Sequence, residues 1–256
     1  MLVVIFLKDM LIDTHAHLNF SDFDSDRNQI IQNCLDNNIW IINVGTDFKS
    51  SKKAIEIAEK YSEGVYATVG VHPMNESEDI YSLMQSDKIV AVGEAGLDYY
   101  KRPKNKAKRK EFEDKQKEAF LIQANIAKEF DLPMIIHCRY AHKDMIPLLK
   151  DLKGVIHCFT GDLDDLEKYL NLGFYIGFNG IIFKLNLDEV ILKTPIDRIL
   201  LETDCPYLGS SEARNEPTDI IRVAKRIAEI KGVDYDLLKE KTSENAKKLF
   251  LGAIQS

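Results

Sequence analysis

The sequence predicts an α/β fold, a (β/α)₈ TIM barrel formed by residues 1–256 as a single domain. Short apolar, β-branched runs alternate with amphipathic helical segments, which is typical of a parallel sheet covered by helices. Eight runs are expected to be strands: Met10–Thr14, Ile39–Val44, Val65–Val71, Ile89–Gly93, Pro133–Ile136, Gly154–Ile156, Gly173–Gly177 and Arg198–Leu201. A length near 250 residues is also usual for one such barrel.

The helical segments are clearest in the second half of the chain. Apolar residues at helical spacing predict helices at Glu111–Phe130, Asp144–Leu152, Asp219–Ile230 and Tyr235–Phe250. An open, doubly wound sheet is the alternative architecture. The sequence has neither a G-x-G-x-x-G motif nor a P-loop to support the nucleotide binding that such sheets often carry.

The composition is that of a globular protein, with 45% apolar and 29% charged residues. The longest apolar stretch, Met1–Leu7, is far shorter than the ~20 residues of a membrane span, and the features of a signal peptide are missing. The four cysteines form no C-x-x-C pair, and we interpret them as reduced, packed thiols in a cytoplasmic protein with no membrane partner. A net charge of −7 argues against nucleic-acid binding through the overall field, but it does not exclude a local basic patch.

Five of the six histidines directly follow predicted strands. They are His15, His17, His72, His137 and His157, and the carboxylates of Glu94 and Asp204 stand at the same positions. Residues two apart on an extended chain point to the same side, so His15 and His17 are expected to project together. Adjacent residues point to opposite sides, so the thiols beside these positions are expected to point towards the helices; they are Cys138, Cys158 and Cys205. Because chemistry in TIM barrels is located at the carboxyl ends of the strands, these groups predict an active site there.

This group of side chains predicts a metal centre. Buried carboxylates and imidazoles need a counter-charge, which divalent cations supply. Mixed nitrogen and oxygen ligands suit Zn²⁺, Mn²⁺ or Fe²⁺, whereas Mg²⁺ prefers oxygen ligands. Six ligands exceed the needs of one tetrahedral ion, so we expect two divalent ions bridged by Glu94. Two ions about 3.5–4 Å apart can activate water for phosphoryl displacement.

Several sequence motifs carry a family resemblance. They are His15-Ala16-His17-Leu18, Gly70-Val71-His72-Pro73, Gly93-Glu94-Ala95-Gly96-Leu97-Asp98-Tyr99-Tyr100, Pro133-Met134-Ile135-Ile136-His137, His157-Cys158-Phe159-Thr160-Gly161, Glu202-Thr203-Asp204-Cys205-Pro206-Tyr207-Leu208, Arg214-Asn215-Glu216-Pro217 and Asn245-Ala246-Lys247-Lys248-Leu249-Phe250. These motifs resemble those of the TatD-related deoxyribonuclease family. They occur in the order that is usual in the family, from about residue 10 onwards. The resemblance implies a metallo-dependent hydrolase barrel that cleaves DNA phosphodiester bonds, often from the 3′ end. It also implies a ligand set identical to the one expected from the strand ends: His15, His17, Glu94, His137, His157 and Asp204.

The sequence departs from the family pattern at three places. Met74 stands where the family usually carries a second histidine, a difference that bears on substrate handling more than on metal binding. The loop Gly209–Ala213 is shorter and less proline-rich than is usual in the family. Residues 1–9 precede the usual start of the family, so they are expected to be a non-native or extra extension, with Met10 as a natural first residue.

The resulting hypothesis is a 3′–5′ exodeoxyribonuclease. A hydroxide held between the two ions attacks phosphorus, and Asp204 accepts the proton of the attacking water. His72 and Arg139 are candidates for contacts with the non-reacting phosphate oxygens, since an arginine fork matches phosphate geometry. A surface ion pair is the alternative role for Arg139.

A basic stretch, residues 101–110, follows the fourth predicted strand and holds seven basic residues in ten. We expect it to lie at the same end of the barrel and to dock DNA, with Lys101 and Arg102 as the first contacts. Tyr99 and Tyr100 are candidates for base stacking, although packing is equally common for such residues.

Two other functions remain open at this stage. The same metal pair can hydrolyse an amide, a lactone or an ester, such as that of a D-aminoacyl-tRNA, because a fold does not fix its substrate. An inactive binding protein built on the barrel is the other alternative, and a missing ligand would favour it. All six ligands are present.

Overall fold

The computed structural model describes residues 10–209 and 214–252, and these residues form the expected barrel. One eight-stranded parallel sheet has a spatial order that follows the chain order. Its strands are β1 (Leu11–Ala16), β2 (Ile39–Val44), β3 (Val65–Val69), β4 (Ile89–Asp98), β5 (Met134–Arg139), β6 (Gly154–Ile156), β7 (Tyr175–Phe178) and β8 (Ile199–Leu201). A parallel bridge between Ala16 and Cys205 joins the two edges of the sheet. The (β/α)₈ prediction is therefore confirmed, and the open doubly wound alternative is wrong.

Within residues 10–209 and 214–252, eight α-helices accompany the strands. They are α1 (Arg27–Asp36), α2 (Phe48–Ala58), α3 (Lys106–Glu129), α4 (His142–Met145), α5 (Leu163–Asn171), α6 (Asp188–Lys193), α7 (Ile220–Lys231) and α8 (Tyr235–Ala246). Between β3 and β4, where every residue is described, the chain forms only the short 3₁₀ helix Tyr81–Leu83. Across both described ranges, no helix combines the length and the apolar character needed to cross a membrane.

Three of the expected helices differ from the prediction. The helix expected at Tyr235–Phe250 ends as α8 at Ala246, and a π-helix, Lys247–Leu251, follows it. Helix α3 begins at Lys106 rather than Glu111, because the Asn105 side chain accepts hydrogen bonds from the amides of Ala107 and Lys108. The expected helix at residues 144–152 is instead the short α4 followed by a 3₁₀ helix, Ile146–Leu149. Pro147 lies in this segment and has no amide hydrogen, so a regular helix through it would lose one hydrogen bond.

Apolar side chains fill the barrel near the amino ends of its strands. Seven of the eight strands contribute one or more buried residues to this interior cluster: Ile12, Ile42, Val44, Val90, Ala91, Ile135, Val155, Tyr175 and Leu200. Phe250 and Leu251 belong to the same cluster, so the end of the described chain covers that side of the barrel. A larger apolar cluster fills the space between strands and helices. The carboxyl ends of the strands are thus left for polar side chains.

Three strands are longer than the sequence indicates. Strands β1, β4 and β5 extend to Ala16, Asp98 and Arg139, so several candidate ligands lie inside strands rather than after them. Glycines in β4 suggest that the strand ends there. Instead, they allow the backbone of the neighbouring strand β5 to lie close to β4. A Cβ atom on Gly96 would lie 1.9 Å from the carbonyl oxygen of His137 in β5.

Candidate active site

A cavity of about 700 Å³ opens at the carboxyl ends of the strands. Seven of the candidate site residues line it directly: His17, His72, Glu94, His137, Arg139, His157 and Asp204. His15 is fully buried beneath its floor. The structure therefore brings the six expected ligands and His72 together at one end of the barrel.

His15 and His17 lie at the end of β1. Their Nε2 atoms are 3.1 Å apart. The Nδ1 atom of His17 lies 3.0 Å from the carbonyl oxygen of Val44, to which it donates a hydrogen bond. This backbone contact on β2 thus orients His17 towards the cavity.

Two carboxylates approach the same pair of nitrogens. Oε2 of Glu94 lies 3.5 Å from His15 Nε2 and 3.9 Å from His17 Nε2. Oδ1 of Asp204 lies 3.8 Å and 3.4 Å from the same two atoms. Asp204 is at φ 58°, in the left-handed region that is unusual for a residue with a side chain, and its amide donates to the His15 carbonyl oxygen at 2.8 Å. This turn after β8 directs its carboxylate into the cavity.

The other oxygen of Glu94 faces a second group of imidazoles. Oε1 lies 2.5 Å from His137 Nδ1, 3.8 Å from His72 Nε2 and 3.9 Å from His157 Nε2. One carboxylate therefore stands between two sets of nitrogen atoms. This position suits a carboxylate that is shared by two cations.

The donor set fits metal ions on its own chemistry. Buried carboxylate oxygens and imidazole nitrogens converge, and Arg139 lines the same cavity at the end of β5. His15, His17 and Asp204 each contribute an atom within 4.8 Å of the others, and so do Glu94, His137 and His157. Such a cluster requires positive charge to be stable, and divalent cations accept these ligand types.

Comparisons with known proteins agree with this geometry. The model of the TatD related DNase family matches residues 12–251. The chain belongs to the TatD-related DNase family, a family of metal-dependent hydrolases.

The relatives of this TatD-family chain match over nearly their whole length. "Uncharacterized metal-dependent hydrolase YabD" of Bacillus subtilis is 38% identical over 94% of this chain and 99% of the relative. "3'-5' ssDNA/RNA exonuclease TatD" of a Rahnella species is 35% identical over 94% of this chain and 98% of the relative. The crystal structure of YJJV, a TatD homolog from Escherichia coli K12, superposes with a TM-score of 0.84 at 29% identity, covering 95% of this chain and 99% of that one.

The charges of this TatD-family site depend strongly on its burial. Burial alone would raise the pKa of Glu94, but the imidazoles of His72 and His137 hold it well below its usual range. Burial would lower the pKa of His137, whereas the carboxylates of Asp98 and Glu94 outweigh that effect and raise it to about 9. Burial lowers the pKa of His72 to about 4, because Glu94 compensates only in part. His72 is therefore a neutral imidazole beside a charged carboxylate.

The candidate substrate contacts are placed differently from one another. His72 and Arg139 line the cavity, the latter at the end of β5. Lys101 and Arg102 follow β4 after two tyrosines and are exposed, but neither lines the cavity. Arg102 instead lies 3.1 Å from Oε1 of Glu113 in α3.

The two tyrosines after β4 have separate environments. Tyr99 is buried, and its hydroxyl donates to Oδ2 of Asp144 at 2.9 Å, so base stacking on Tyr99 is wrong. Tyr100 is exposed. The departure at Met74 also lies outside the cavity: its sulfur is 3.8 Å from Nε2 of Gln116. Most of the unusual 209–213 loop, and all of residues 1–9, lie outside the described residues.

Three carboxylates that support the site were not assigned roles from the sequence. Asp98 lies 3.1 Å from His137 Nε2, and Glu202 lies 3.0 Å from His157 Nδ1. Asp13 accepts hydrogen bonds from the amides of His15 and Thr203 and from the Thr203 hydroxyl. Their positions carry a signal, because Asp13 and Glu202 each precede a candidate ligand by two residues and Asp98 follows Glu94 by four. Even spacing places residues on one side of a strand, which applies to Asp13 on β1 and Asp98 on β4, whereas Glu202 and Asp204 follow the end of β8.

The cysteines also depart in part from the expectation. All four thiols are free. Cys138 packs towards α5, with its sulfur 3.5 Å from the Tyr169 hydroxyl. Cys138 and Cys158 both line the cavity, and the Cys158 sulfur lies 3.5 Å from Oδ1 of Asn179. The expectation that Cys158 points away from the site is wrong because β6 ends at Ile156 and Cys158 takes φ 46°, so strand alternation no longer applies there.

Proposed function

We propose that this chain is a metal-dependent 3′–5′ exonuclease that acts on single-stranded DNA. The observation that carries the proposal is the position of Glu94, whose two carboxylate oxygens face separate sets of imidazole nitrogens in a cavity. Relatives of similar length are named 3'-5' ssDNA/RNA exonucleases, which supports a nucleic-acid substrate.

The ligand assignment follows the two clusters. His15, His17 and Asp204 would hold one divalent ion, His137 and His157 would hold a second, and Glu94 would be shared between them. Imidazole-rich sites suit Zn²⁺ or Mn²⁺ better than Mg²⁺. When bound, two divalent ions lower the pKa of an attacking water and offset the charge on the phosphoryl oxygens.

The remaining chemistry belongs to side chains of this protein. Asp204 lies at the cavity wall, with its side chain 15% exposed, and is placed to accept the proton of the attacking water. The water oxygen forms a bond to phosphorus as the bond from phosphorus to the leaving oxygen breaks. His72, a neutral imidazole, donates a hydrogen bond to a non-reacting phosphate oxygen.

Arg139 is the proposed phosphate anchor. Within residues 10–209 and 214–252, its guanidinium has no ion pair and no hydrogen bond to a side chain, while it lines the cavity. The alternative role in a surface ion pair therefore has no partner among those residues. A guanidinium with free donors is suited to an incoming phosphate diester.

The basic stretch supports the same class of substrate. Lys101 and Arg102 leave β4 at the carboxyl end of the barrel, the end at which the cavity opens. We assign them to the DNA strand beyond the cavity, where contacts with phosphates are electrostatic and independent of sequence.

The test is cleavage of a 5′-labelled single-stranded DNA oligonucleotide by protein loaded with Mg²⁺, Mn²⁺ or Zn²⁺, its metal content measured. We expect a ladder of products shortened from the 3′ end. Asp204→Asn should abolish it, whereas Asp164→Asn, a change at an exposed position on α5, should not. Absence of cleavage by metal-loaded protein, together with hydrolysis of a carboxylic ester or a D-aminoacyl-tRNA, would replace the nuclease with the deacylase alternative.

A further inference from the structure

Two exposed tyrosines flank Arg139 at the rim of the cavity. The rings of Tyr100 and Tyr140 are nearly parallel, with an interplanar angle of 21° and centroids 6.2 Å apart. The guanidinium carbon of Arg139 lies 3.9 Å from the Tyr100 ring centre and 6.0 Å from that of Tyr140. We call Tyr100, Arg139 and Tyr140 the aromatic platform.

The platform leaves an unusual amount of aromatic surface in water. Tyr140 is 71% exposed and Tyr100 is 57% exposed. Tyr140 also has φ 56°, in the left-handed region that costs a residue with a Cβ about 1–2 kcal/mol. A residue in a strained conformation whose ring is exposed to solvent contributes little to the stability of the fold. Such residues are typical of binding sites.

The platform is close to the candidate metal ligands. Arg139 and Tyr140 line the cavity, and Arg139 follows His137 by two residues on β5. Two strand residues rise about 6.6 Å, a separation on the order of one nucleotide step. A base attached next to a phosphate held by the candidate ligands can therefore reach the tyrosine rings.

We propose that the aromatic platform is a nucleobase subsite, in which a base next to the scissile phosphate stacks on Tyr140 and Tyr100 while Arg139 contacts its phosphate. The proposal rests on the proposed nuclease function. Stacking uses the π face that all bases share, so the subsite holds a base without selecting its identity. Tyr140 becomes the main residue that distinguishes a nucleotide chain from a phosphate diester without bases.

The test separates binding from cleavage. Anisotropy of a 5′-labelled single-stranded oligonucleotide is measured in EDTA, with either an intact 3′ end or one whose last two nucleotides are abasic. Tyr140→Ala is compared with Tyr140→Phe, which retains a stacking ring, and with Tyr81→Ala. Tyr81 is a matched exposed tyrosine that packs against Phe130 and does not line the cavity.

We expect the wild type, Tyr140→Phe and Tyr81→Ala to bind the intact end about 5- to 150-fold more tightly than the abasic end, the range equivalent to one stacked base. Tyr140→Ala should lose most of this preference. Equal preference in Tyr140→Ala and the wild type, in a wild type that cleaves DNA, would overturn the subsite and leave the nuclease intact. A wild type that cleaves no phosphodiester and binds both ends equally would overturn both proposals.

Discussion

The Nδ1 atom of His157 lies 3.0 Å from Oε2 of Glu202, a carboxylate with no exposed surface. The amide of Cys158 donates to the same oxygen at 3.0 Å. This contact places a proton on His157 Nδ1 and turns Nε2 towards Glu94 and Asp204, at 3.9 Å and 4.0 Å. Glu202 is therefore a positioning residue for a proposed metal ligand.

Glu202→Gln should weaken metal binding and lower kcat/KM by about 10- to 100-fold, the usual effect of losing a partner of a histidine ligand. The physical reason is that a neutral amide orients His157 less firmly and makes its Nε2 less basic. Isothermal titration with Mn²⁺ and cleavage assays measure the two effects. Glu167→Gln, at an exposed position on α5, is the control and should change neither value.

A glycine provides an independent check on Glu202. A Cβ atom on Gly177 in β7 would lie 2.0 Å from Oε1 of Glu202, so the absence of a side chain there makes room for the carboxylate. Gly177→Ala should therefore reproduce the metal-binding defect of Glu202→Gln. Wild-type metal affinity in both folded variants would contradict the positioning role.

Arg139→Ala should raise KM for an oligonucleotide about tenfold, because a hydrogen bond to a charged group is worth ~1.5–3 kcal/mol. The free donors of the Arg139 guanidinium, at the cavity rim, are the reason to expect a direct phosphate contact. Arg139→Lys should recover only part of the affinity, since an ammonium group lacks the planar fork that also stacks on Tyr100. Lys128→Ala, an exposed change near the end of α3, should leave KM unchanged.

Salt dependence distinguishes this anchor from the basic stretch. Removing one phosphate contact on single-stranded DNA should reduce the slope of log affinity against log salt by about 0.7. Arg139→Ala should do so even with a dinucleotide. The double variant Lys101→Gln, Arg102→Gln should do so only with longer oligonucleotides, because both residues lie outside the cavity. An equal effect of the double variant on the dinucleotide would contradict this placement.

The sequence predicts the barrel well because most of its strands are apolar runs followed by an imidazole or a carboxylate group. Such groups are costly to bury unless they converge on a common site, as they do at one end of a barrel. It predicts less about how those groups are supported. The sequence does not indicate that Glu202 contacts His157, since the two are 45 residues apart and meet only across strand ends. The prediction for the Cys158 side chain is wrong for a local reason. Strand alternation stops after Ile156, and the positive φ of Cys158 turns the chain there.

Asp13 supports the closure of the barrel. Its carboxylate accepts three hydrogen bonds, from the amides of His15 and Thr203 and from the Thr203 hydroxyl, and so connects β1 to the segment after β8. Asp13→Ala should lower the free energy of unfolding by about 3 kcal/mol, since it leaves buried donors without an acceptor. Asp13→Asn keeps one acceptor oxygen and should lose less.

Urea denaturation in EDTA measures this effect without a contribution from bound metal. Asp87→Ala, at an exposed position before β4, is the control and should stay within about 0.5 kcal/mol of the wild type. A wild-type midpoint for Asp13→Ala would show that the two edges of the sheet are held by other contacts.

His142 gives a prediction about pH. Its Nδ1 lies 2.9 Å from the Tyr169 hydroxyl and 3.4 Å from the Cys138 sulfur, and burial lowers the pKa of His142 although the carboxylates of Asp165 and Asp162 oppose the effect. The folded protein therefore holds this imidazole neutral. Its contribution to stability is complete above the unfolded pKa, about 6.5, and is lost as the pH falls below it.

His142→Gln, which is neutral at every pH, should lose less stability than the wild type between pH 7 and pH 5. The ratio of the unfolding constant of the wild type to that of His142→Gln should change by up to about tenfold per pH unit. Carboxylates titrate in both proteins and largely cancel from this comparison, which urea midpoints at several pH values provide. Parallel pH profiles for the two proteins would show that His142 titrates alike in the folded and unfolded chain, and that the Tyr169 contact does not favour its neutral form.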